Sequence, residues 1–242
     1  MFKKFKQLSK GKQILVGLMC TLVVLALLLV GGMLLYASDY YHRDATADAV
    51  MAEGGERIVT EHNLTFFYPT EDTNSHRGLI FYPGGKVEAT AYAPLLKKLS
   101  DQGLTCVLVH MPLNLAVFNM KAADKVYDKV EGITSWYLMG HSLGGAMASS
   151  YMGSSGKTID GLILLAAYPV NDSTTPTLIL YGENDQVLDQ SKLNGFEATM
   201  IPGGNHGQFG SYGHQAGDCE ATITPEAQWQ FTTDAIMTFV GQ

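Results

Sequence analysis

The longest apolar run of the chain covers residues 14–37 and contains no charged side chain. At about 1.5 Å per residue, a helix of this length exceeds the roughly 30 Å core of a bilayer. The residues before the run include lysines and no acidic residue, whereas both signs of charge follow it. Because Lys-rich flanks stay cytoplasmic, the pattern predicts a basic cytoplasmic tail over 1–13, a transmembrane anchor over 14–37 and an external remainder. The lysines of the tail are Lys3, Lys4, Lys6, Lys10 and Lys12.

A cleaved signal peptide is the alternative interpretation of this N-terminal segment. Its apolar core typically spans about 7 to 15 residues and is followed by a small-x-small cleavage site. The run here is longer, and Leu35-Tyr36-Ala37 fits such a site poorly. The sequence therefore favours an uncleaved single-pass anchor in the cell membrane, with the lipid bilayer as its partner and an extracellular domain after it.

The remainder of the chain divides into a short polar segment and a folded part. Residues 38–56 are small and polar without strong periodicity, and we interpret them as a stalk. From residue 57 on, short β-branched and apolar runs alternate with segments of helical spacing, which is typical of a mostly parallel sheet covered by helices on both faces. The pattern predicts one α/β domain over 57–242. Its predicted strands cover 57–68 as a pair, 78–82, 104–110, 135–139, 162–166, 177–181 and 198–201, and its predicted helices cover 91–99, 116–130, 145–152 and 225–240.

Charge and cysteine content narrow the class of partner only slightly. The formal net charge is −7, and no cluster of Lys or Arg occurs outside the N-terminal tail. Such a chain offers no basic face to a phosphate backbone, so we expect no nucleic-acid partner.

Cys106 lies within an apolar strand pattern and is expected to be a buried, inert thiol. Whether Cys106 pairs with Cys219 stays open, because sequence does not show whether two thiols meet.

The strongest chemical motif follows the predicted strand 135–139. Gly140-His141-Ser142-Leu143-Gly144 leads from that strand through a sharp turn into a run of small residues that opens a helix. Such a turn strains the serine backbone and requires glycines two residues to either side, which exposes the hydroxyl at the end of the strand. We therefore predict that Ser142 is a nucleophile. An ordinary Gly-rich turn is the alternative.

A serine hydroxyl needs a base to take its proton and an acid to orient that base. Asp185 follows the predicted strand 177–181, and His206 follows the strand that ends at Ile201. Both lie at carboxyl ends of strands, where ligands bind in open α/β sheets. The order Ser, Asp, His predicts a triad of Ser142, Asp185 and His206. The rival residues are His110, His141 and His214 for the base, and Glu183 and Asp189 for the acid.

The intermediate of acyl transfer carries an oxyanion that needs two backbone N–H donors. We predict that the amide of Leu143 supplies one of them, because it follows the nucleophile directly. The other is expected from the loop Pro83-Gly84-Gly85-Lys86, which follows the strand 78–82. Either Gly85 or Lys86 fits that role, and the sequence leaves the choice open.

Ser142, Asp185, His206 and the 83–85 loop together resemble the α/β-hydrolase superfamily, over nearly all of residues 57–240. More narrowly, residues 82–88 with 91–95, and residues 204–206 with 209–213, resemble a bacterial branch of small hydrolases similar to dienelactone hydrolases. Those enzymes use a cysteine nucleophile where this chain has Ser142. The resemblance thus implies an α/β-hydrolase fold and ester hydrolysis rather than the dienelactone substrate.

The resemblance also implies a place for a lid domain, after the strand 162–166. Only residues 167–176 separate this strand from the next, so no lid fits and an open pocket is expected. Tyr92, Tyr168, Phe209 and Tyr212 are candidate contacts in that pocket.

The sequence as a whole predicts a membrane-anchored serine hydrolase that acts on a small-molecule acyl substrate, with no metal and no organic cofactor. An acyltransferase of the same fold and a non-catalytic binding module are the alternatives. Neither the substrate nor the oligomeric state follows from the sequence.

Overall fold

The computed structural model describes residues 9–241 and divides the chain into two compact units, Met1–Asp39 and Tyr40–Gln242. The first unit consists of helix α1, Lys10–Ser38. Among the described residues, α1 alone is long and apolar enough to cross a membrane, and the window that meets this criterion is not buried at all. The expectation of one long N-terminal apolar helix is confirmed. A signal sequence would have the same property, and Lys3, Lys4 and Lys6 of the predicted tail lie outside the described residues.

The second unit is built on an eight-stranded sheet with the strand order β1-β2-β4-β3-β5-β6-β7-β8. The pairs β1–β2 and β2–β4 are antiparallel, and all other neighbours are parallel. The expected mostly parallel sheet is therefore confirmed, with each predicted strand within two residues of its observed bounds. The strands are β1 Ile58–Glu61, β2 Leu64–Phe67, β3 Arg77–Tyr82, β4 Leu104–Val109, β5 Ser135–His141, β6 Gly161–Leu165, β7 Thr177–Gly182 and β8 Thr199–Ile201.

Helices cover both faces of this sheet, as its apolar central strands require. The helices of this unit are α2 Ala45–Glu53, α3 Ala93–Asp101, α4 Leu143–Met152 and α5 Pro225–Val240. One core contains the apolar side chains of α3 and α5, and a second core contains those of α4. Helix α5 has the predicted bounds, because Thr224 caps its first turn and Pro225 has the fixed φ that a first helical position favours.

The helix predicted over 116–130 is wrong. The structure has short 3-10 turns at Ala116–Phe118 and Ala122–Lys125 instead. Ala116, Ala122, Ala123 and Val126 are buried as their spacing indicated, whereas Val117 and Phe118 are exposed. However, the buried Tyr82 hydroxyl donates to the Met120 carbonyl and accepts from the Ala123 N–H, both at 2.8 Å. A side chain from β3 thus satisfies backbone groups that an α-helix would pair internally.

The stalk predicted over 38–56 is also not what the structure shows. The Tyr41 N–H donates to the Lys86 carbonyl at 2.7 Å, and the Tyr41 carbonyl accepts from the Glu88 N–H at 2.9 Å. Helix α2 follows, and its Ala47 is fully buried. Small side chains allow this close packing, which is why the segment shows no apolar stripe in the sequence. The folded unit therefore begins at Tyr40 rather than at residue 57.

Two cysteines of the folded unit stay unpaired in the structure, Cys106 and Cys219. Cys106 is buried, and burial raises the pKa of its thiol. The prediction of a buried thiol at this position is confirmed.

Asp44 attaches this N-terminal segment to the folded unit. Its carboxylate caps α2 by accepting from the Thr46 and Ala47 N–H groups, and it also accepts from the Ser211 hydroxyl at 2.6 Å. We expect Asp44→Ala to lower the free energy of unfolding by about 1–2 kcal/mol. Chemical unfolding of the full chain in detergent, followed by tryptophan fluorescence, measures this change.

Asp48→Ala is the matched control for this measurement. Asp48 lies in the same helix, but its ion pair with Arg43 is solvent-exposed and should contribute less than about 1 kcal/mol. Equal and negligible effects of the two substitutions would mean that residues 40–56 behave as a loose stalk after all.

Candidate active site

Ser142 occupies the turn between β5 and α4 with an unusual backbone conformation. Its φ of 51° and ψ of −122° are rarely adopted by residues with a side chain, and such strain costs of order 1–3 kcal/mol. The Ser142 N–H donates to the Leu165 carbonyl at 2.9 Å, which holds the turn to the end of β6. A Cβ at Gly140 would lie 2.5 Å from the Gly144 carbonyl, and one at Gly144 would collide with the Tyr82 carbonyl oxygen. The two glycines are therefore required by close backbone approach, as the motif predicted.

His206 and Asp185 form a buried pair at the same edge of the sheet. Each is about 1% exposed, and the distance from His206 Nδ1 to Asp185 Oδ2 is 2.9 Å. The other oxygen of Asp185 accepts from the N–H groups of Val187 and Leu188, at 2.9 and 2.8 Å. Because the carboxylate only accepts, Nδ1 of His206 carries a hydrogen, and in the neutral imidazole Nε2 is then the proton acceptor.

Ser142 and His206 line one cavity of about 340 Å³. Within the described part of the chain, His206 Nε2 is buried and has no hydrogen-bond partner. Ser142 and His206 Nε2 are thus not hydrogen-bonded to each other in this structure. Such bonds are often long before substrate binds. The structure nevertheless places the partly exposed Ser142 and an unpaired imidazole nitrogen in the lining of the same cavity.

The rival histidines lie elsewhere. His110 Nε2 is engaged by the Thr65 hydroxyl at 2.8 Å, and burial lowers the pKa of His110. His214 is half exposed, and its Nδ1 lies 3.2 Å from a Glu220 carboxylate oxygen. Neither lines the cavity that contains Ser142. His141 is fully buried and has a different set of partners, which are described below.

The rival carboxylates do not approach the imidazole of His206 either. Glu183 accepts from the Gly203 N–H at 2.8 Å and so stabilises the turn before His206. Asp189 lines the cavity, but its carboxylate is exposed and accepts from Ser191. Of the predicted acids, Asp185 is the one that hydrogen-bonds His206.

The hydrogen bonds around Gly85, Lys86 and Leu143 narrow the choice of candidate oxyanion donors. The Leu143 N–H opens α4, where first-turn amides have no partner within the helix. The Lys86 N–H donates to the Asn114 carbonyl at 2.8 Å, so this amide is already engaged. Gly85 lies directly against Leu143, because a Cβ at Gly85 would be 2.8 Å from Leu143 Cδ2. The geometry thus favours Gly85 over Lys86.

Asp218 is a site residue that sequence reasoning missed. It is buried, and its two carboxylate oxygens accept from the N–H groups of Gly207 and Gln186, at 2.9 and 3.3 Å. These two amides directly follow His206 and Asp185 in the chain. Asp218 therefore connects the loops that carry the pair. It lies in a polar Gly-rich loop with no local motif, so nothing in the sequence pointed to it.

The connection after β6 is short, at the place where a lid is expected in the superfamily that the sequence resembles. Strand β6 ends at Leu165, β7 begins at Thr177, and no helix or strand lies between them. The expectation of a lid-less pocket is consistent with this connection. Of the four aromatic candidates for pocket contacts, Tyr168 lines the cavity, whereas Tyr92, Phe209 and Tyr212 are buried outside its lining.

Comparisons with known proteins agree with this architecture. Residues 78–230 match the model of a family described as the alpha/beta hydrolase family. No curated protein sequence matches the chain. Three solved structures similar to it are a predicted CIB-like hydrolase of Thermoplasma acidophilum, a lid-less a/b serine hydrolase of Xanthomonas campestris, and Est1E of Butyrivibrio proteoclasticus.

These structural relatives are distant in sequence. The Thermoplasma protein is 16% identical, with 76% of this chain and 100% of that chain covered and a TM-score of 0.55. The corresponding values are 12%, 77%, 95% and 0.55 for the Xanthomonas protein, and 16%, 76%, 98% and 0.52 for Est1E. At such identities the likeness shows the fold alone, and it confirms the α/β-hydrolase fold that the sequence predicted.

We expect Asp218→Ala to loosen the two loops that carry Asp185 and His206. The buried Gly207 amide would lose its acceptor, which costs about 1–3 kcal/mol, and the part-buried Gln186 amide would lose a weaker bond. Chemical unfolding of the full chain in detergent measures this loss. Glu220→Ala in the same loop is the control, because its contact with His214 is exposed and contributes little. An unchanged unfolding free energy for Asp218→Ala would contradict the bridging role.

Proposed function

This chain belongs to the alpha/beta hydrolase family, and on that basis we propose that it is a serine hydrolase that cleaves an ester or related acyl bond. One observation carries the proposal: the strained Ser142 and the free Nε2 of the buried His206–Asp185 pair open on a single cavity. Activation of a serine needs this combination of nucleophile, base and orienting acid.

The proposed reaction proceeds through an acyl-enzyme. Ser142 Oγ attacks the acyl carbon while His206 Nε2 takes the hydroxyl proton, and Asp185 holds the resulting imidazolium. The bond to the leaving group then breaks, and His206 gives its proton to the departing oxygen. A water molecule attacks the acyl carbon next while His206 takes one of its protons; the bond between the acyl carbon and Ser142 Oγ then breaks, and His206 returns the proton to Oγ, which releases the acid and free Ser142. The N–H groups of Leu143 and Gly85 stabilise the oxyanion of both tetrahedral intermediates.

The walls of the cavity support an uncharged acyl group as the substrate moiety. Most of the lining side chains are apolar, and no Lys or Arg of the described residues lines the cavity to pair with an anionic substrate. The one carboxylate among them, Asp189, is exposed to solvent. The apolar lining residues are Leu143, Ala146, Ala166, Ala167, Val187 and Leu188.

A fluorophosphonate probe should label the full chain in detergent, because it reacts with an activated serine. Ser142→Ala should abolish labelling, and His206→Ala should slow it by about 10⁴-fold or more, as expected for residues that act as one unit. His214→Ala is the matched control and should label at the wild-type rate. An unlabelled wild-type chain, beside a serine hydrolase that labels in the same assay, would contradict the proposal.

We further propose that α1 anchors the hydrolase in the cell membrane with the folded unit outside. The helix is about 44 Å long at 1.5 Å per residue, which is enough to cross a bilayer. The lysines before it support a cytoplasmic N-terminus.

The exposed Cys219 reports on this orientation without any engineering. A membrane-impermeant maleimide should label Cys219 in intact cells, and the protein should stay in the membrane fraction at full length after an alkaline wash. Cys219→Ser is the control and should remove the label. Labelling only after lysis would reverse the proposed orientation, and a soluble chain lacking residues 1–37 would identify a cleaved signal peptide.

A further inference from the structure

His141, the residue before the proposed nucleophile, forms a hydrogen-bond chain that the proposed reaction does not itself use. Its side chain is fully buried. The distance from His141 Nδ1 to the Tyr92 hydroxyl oxygen is 2.7 Å, and the distance from Nε2 to the His206 carbonyl oxygen is 3.1 Å. The Tyr92 hydroxyl also accepts from the Gly84 N–H at 3.1 Å. Four residues from separate parts of the sequence are thereby joined.

The donor and the acceptor of every hydrogen bond in this hydrogen-bond chain follow from the chemistry of the groups. A carbonyl oxygen only accepts, so His141 Nε2 carries the hydrogen that it donates to His206. In a neutral imidazole Nδ1 then accepts, and the Tyr92 hydroxyl must donate to it. The lone pairs of the Tyr92 oxygen remain for the Gly84 N–H. Burial holds the pKa of His141 well below its usual range, and the positive charge that His206 acquires when it takes up a proton lowers this pKa further, so the His141 ring stays neutral.

The two ends of this hydrogen-bond chain, Gly84 and His206, lie in the two loops that the proposed mechanism needs. Gly84 precedes Gly85 in residues 83–86, which we call the oxyanion loop. His206 lies in residues 202–210, which we call the base loop. A hydrogen bond to Gly84 fixes the peptide next to the Gly85 N–H, and a hydrogen bond to the His206 carbonyl fixes the backbone from which the imidazole extends. His141 itself is bonded to Ser142 through the peptide chain.

We propose that His141 is a positioning residue that, through Tyr92, holds the oxyanion loop and the base loop in register with Ser142. This inference rests on the proposed serine hydrolase function. It requires that the two loops lose their mutual alignment when either link is cut. A buried pair that only fills the core would instead affect stability and leave the rate of the folded enzyme unchanged.

The histidine offers two substitutions that each keep one link. His141→Asn keeps an acceptor near the Nδ1 position for Tyr92 but loses the donor to the His206 carbonyl. His141→Gln keeps a donor near the Nε2 position but loses the acceptor for Tyr92. Tyr92→Phe removes the hydroxyl alone, and His141→Phe removes both links.

Steady-state hydrolysis of an activated ester by the full chain in detergent tests the proposal. We expect each single-link variant to lower kcat about 10-fold and His141→Phe to lower it about 100-fold, with KM nearly unchanged, because loops that are out of register raise the barrier without changing substrate binding. Tyr151→Phe is the matched control. It removes the hydroxyl of another fully buried tyrosine. That hydroxyl donates to Asp124 and takes no part in the hydrogen-bond chain of His141, so kcat should stay unchanged.

Double variants separate coupling from general destabilisation. Tyr92→Phe and His141→Gln both cut the connection between the oxyanion loop and His141, and Tyr92→Phe also removes the acceptor of the Gly84 N–H, so the combined variant should be no slower than Tyr92→Phe alone. Tyr92→Phe with His141→Asn cuts the connections to both loops and should be at least as slow as His141→Phe. If kcat per folded molecule stays at the wild-type value in all of these variants while only the unfolding free energy falls, the positioning role is wrong.

A measurement without turnover keeps this inference separate from the proposed function. In full chain carrying ¹⁵N-histidine, the NMR signals of His141 should report a neutral ring with the hydrogen on Nε2. Tyr92→Phe should shift the side-chain signals of His206, although Tyr92 does not hydrogen-bond His206. Signals of His206 that do not move would overturn the coupling, whether or not the wild-type chain hydrolyses esters.

Discussion

The backbone of Ser142 is held at φ 51° and ψ −122° between the last residue of β5 and the first turn of α4. No local interaction makes this conformation favourable for a residue with a side chain, so the surrounding structure has to impose it. The Leu165 carbonyl holds the Ser142 N–H, and two glycines let strand and helix approach each other at backbone contact distance. The parallel pairing of β5 with β3 and β6 then fixes the position of Ser142 at the edge of the sheet.

The loops opposite Ser142 depend on buried polar links rather than on secondary structure. Asp218 accepts from one amide in each of the two loops that carry Asp185 and His206. The Gln228 side chain of α5 hydrogen-bonds both the N–H and the carbonyl of Asn205, immediately before His206. Each of these groups is costly to leave unpaired in the interior, so the loops have one arrangement that satisfies all of them. The imidazole of His206 is thereby held without a helix or strand of its own.

The sequence predicted the strands of the folded unit well, because their apolar runs are buried on both faces and short turns separate them. It failed where side chains from distant parts of the chain determine the backbone. The turns over 116–125 depend on the Tyr82 hydroxyl, and the segment 40–53 depends on small side chains and on Asp44, which show no apolar periodicity.

The candidate site shows the same division. Ser142, Asp185 and His206 could be proposed as candidates because each lies in the turn or loop that follows a strand, and the structure brings Asp185 and His206 into contact. The choice between Gly85 and Lys86 needed the position of the Asn114 carbonyl, which is 28 residues away in sequence. Tyr92, His141 and Asp218 form hydrogen bonds with residues that lie 8 to 65 positions away in the sequence. No local sequence pattern indicates such pairings.

Covalent acylation of Ser142 is tested most directly by mass spectrometry of the protein quenched during ester turnover. With an ester whose acyl-enzyme forms faster than it hydrolyses, we predict a mass increase equal to one acyl group, located on the peptide that contains Ser142. Turnover that persists in Ser142→Ala, or an acyl group found on a different residue of the wild-type chain, would contradict it.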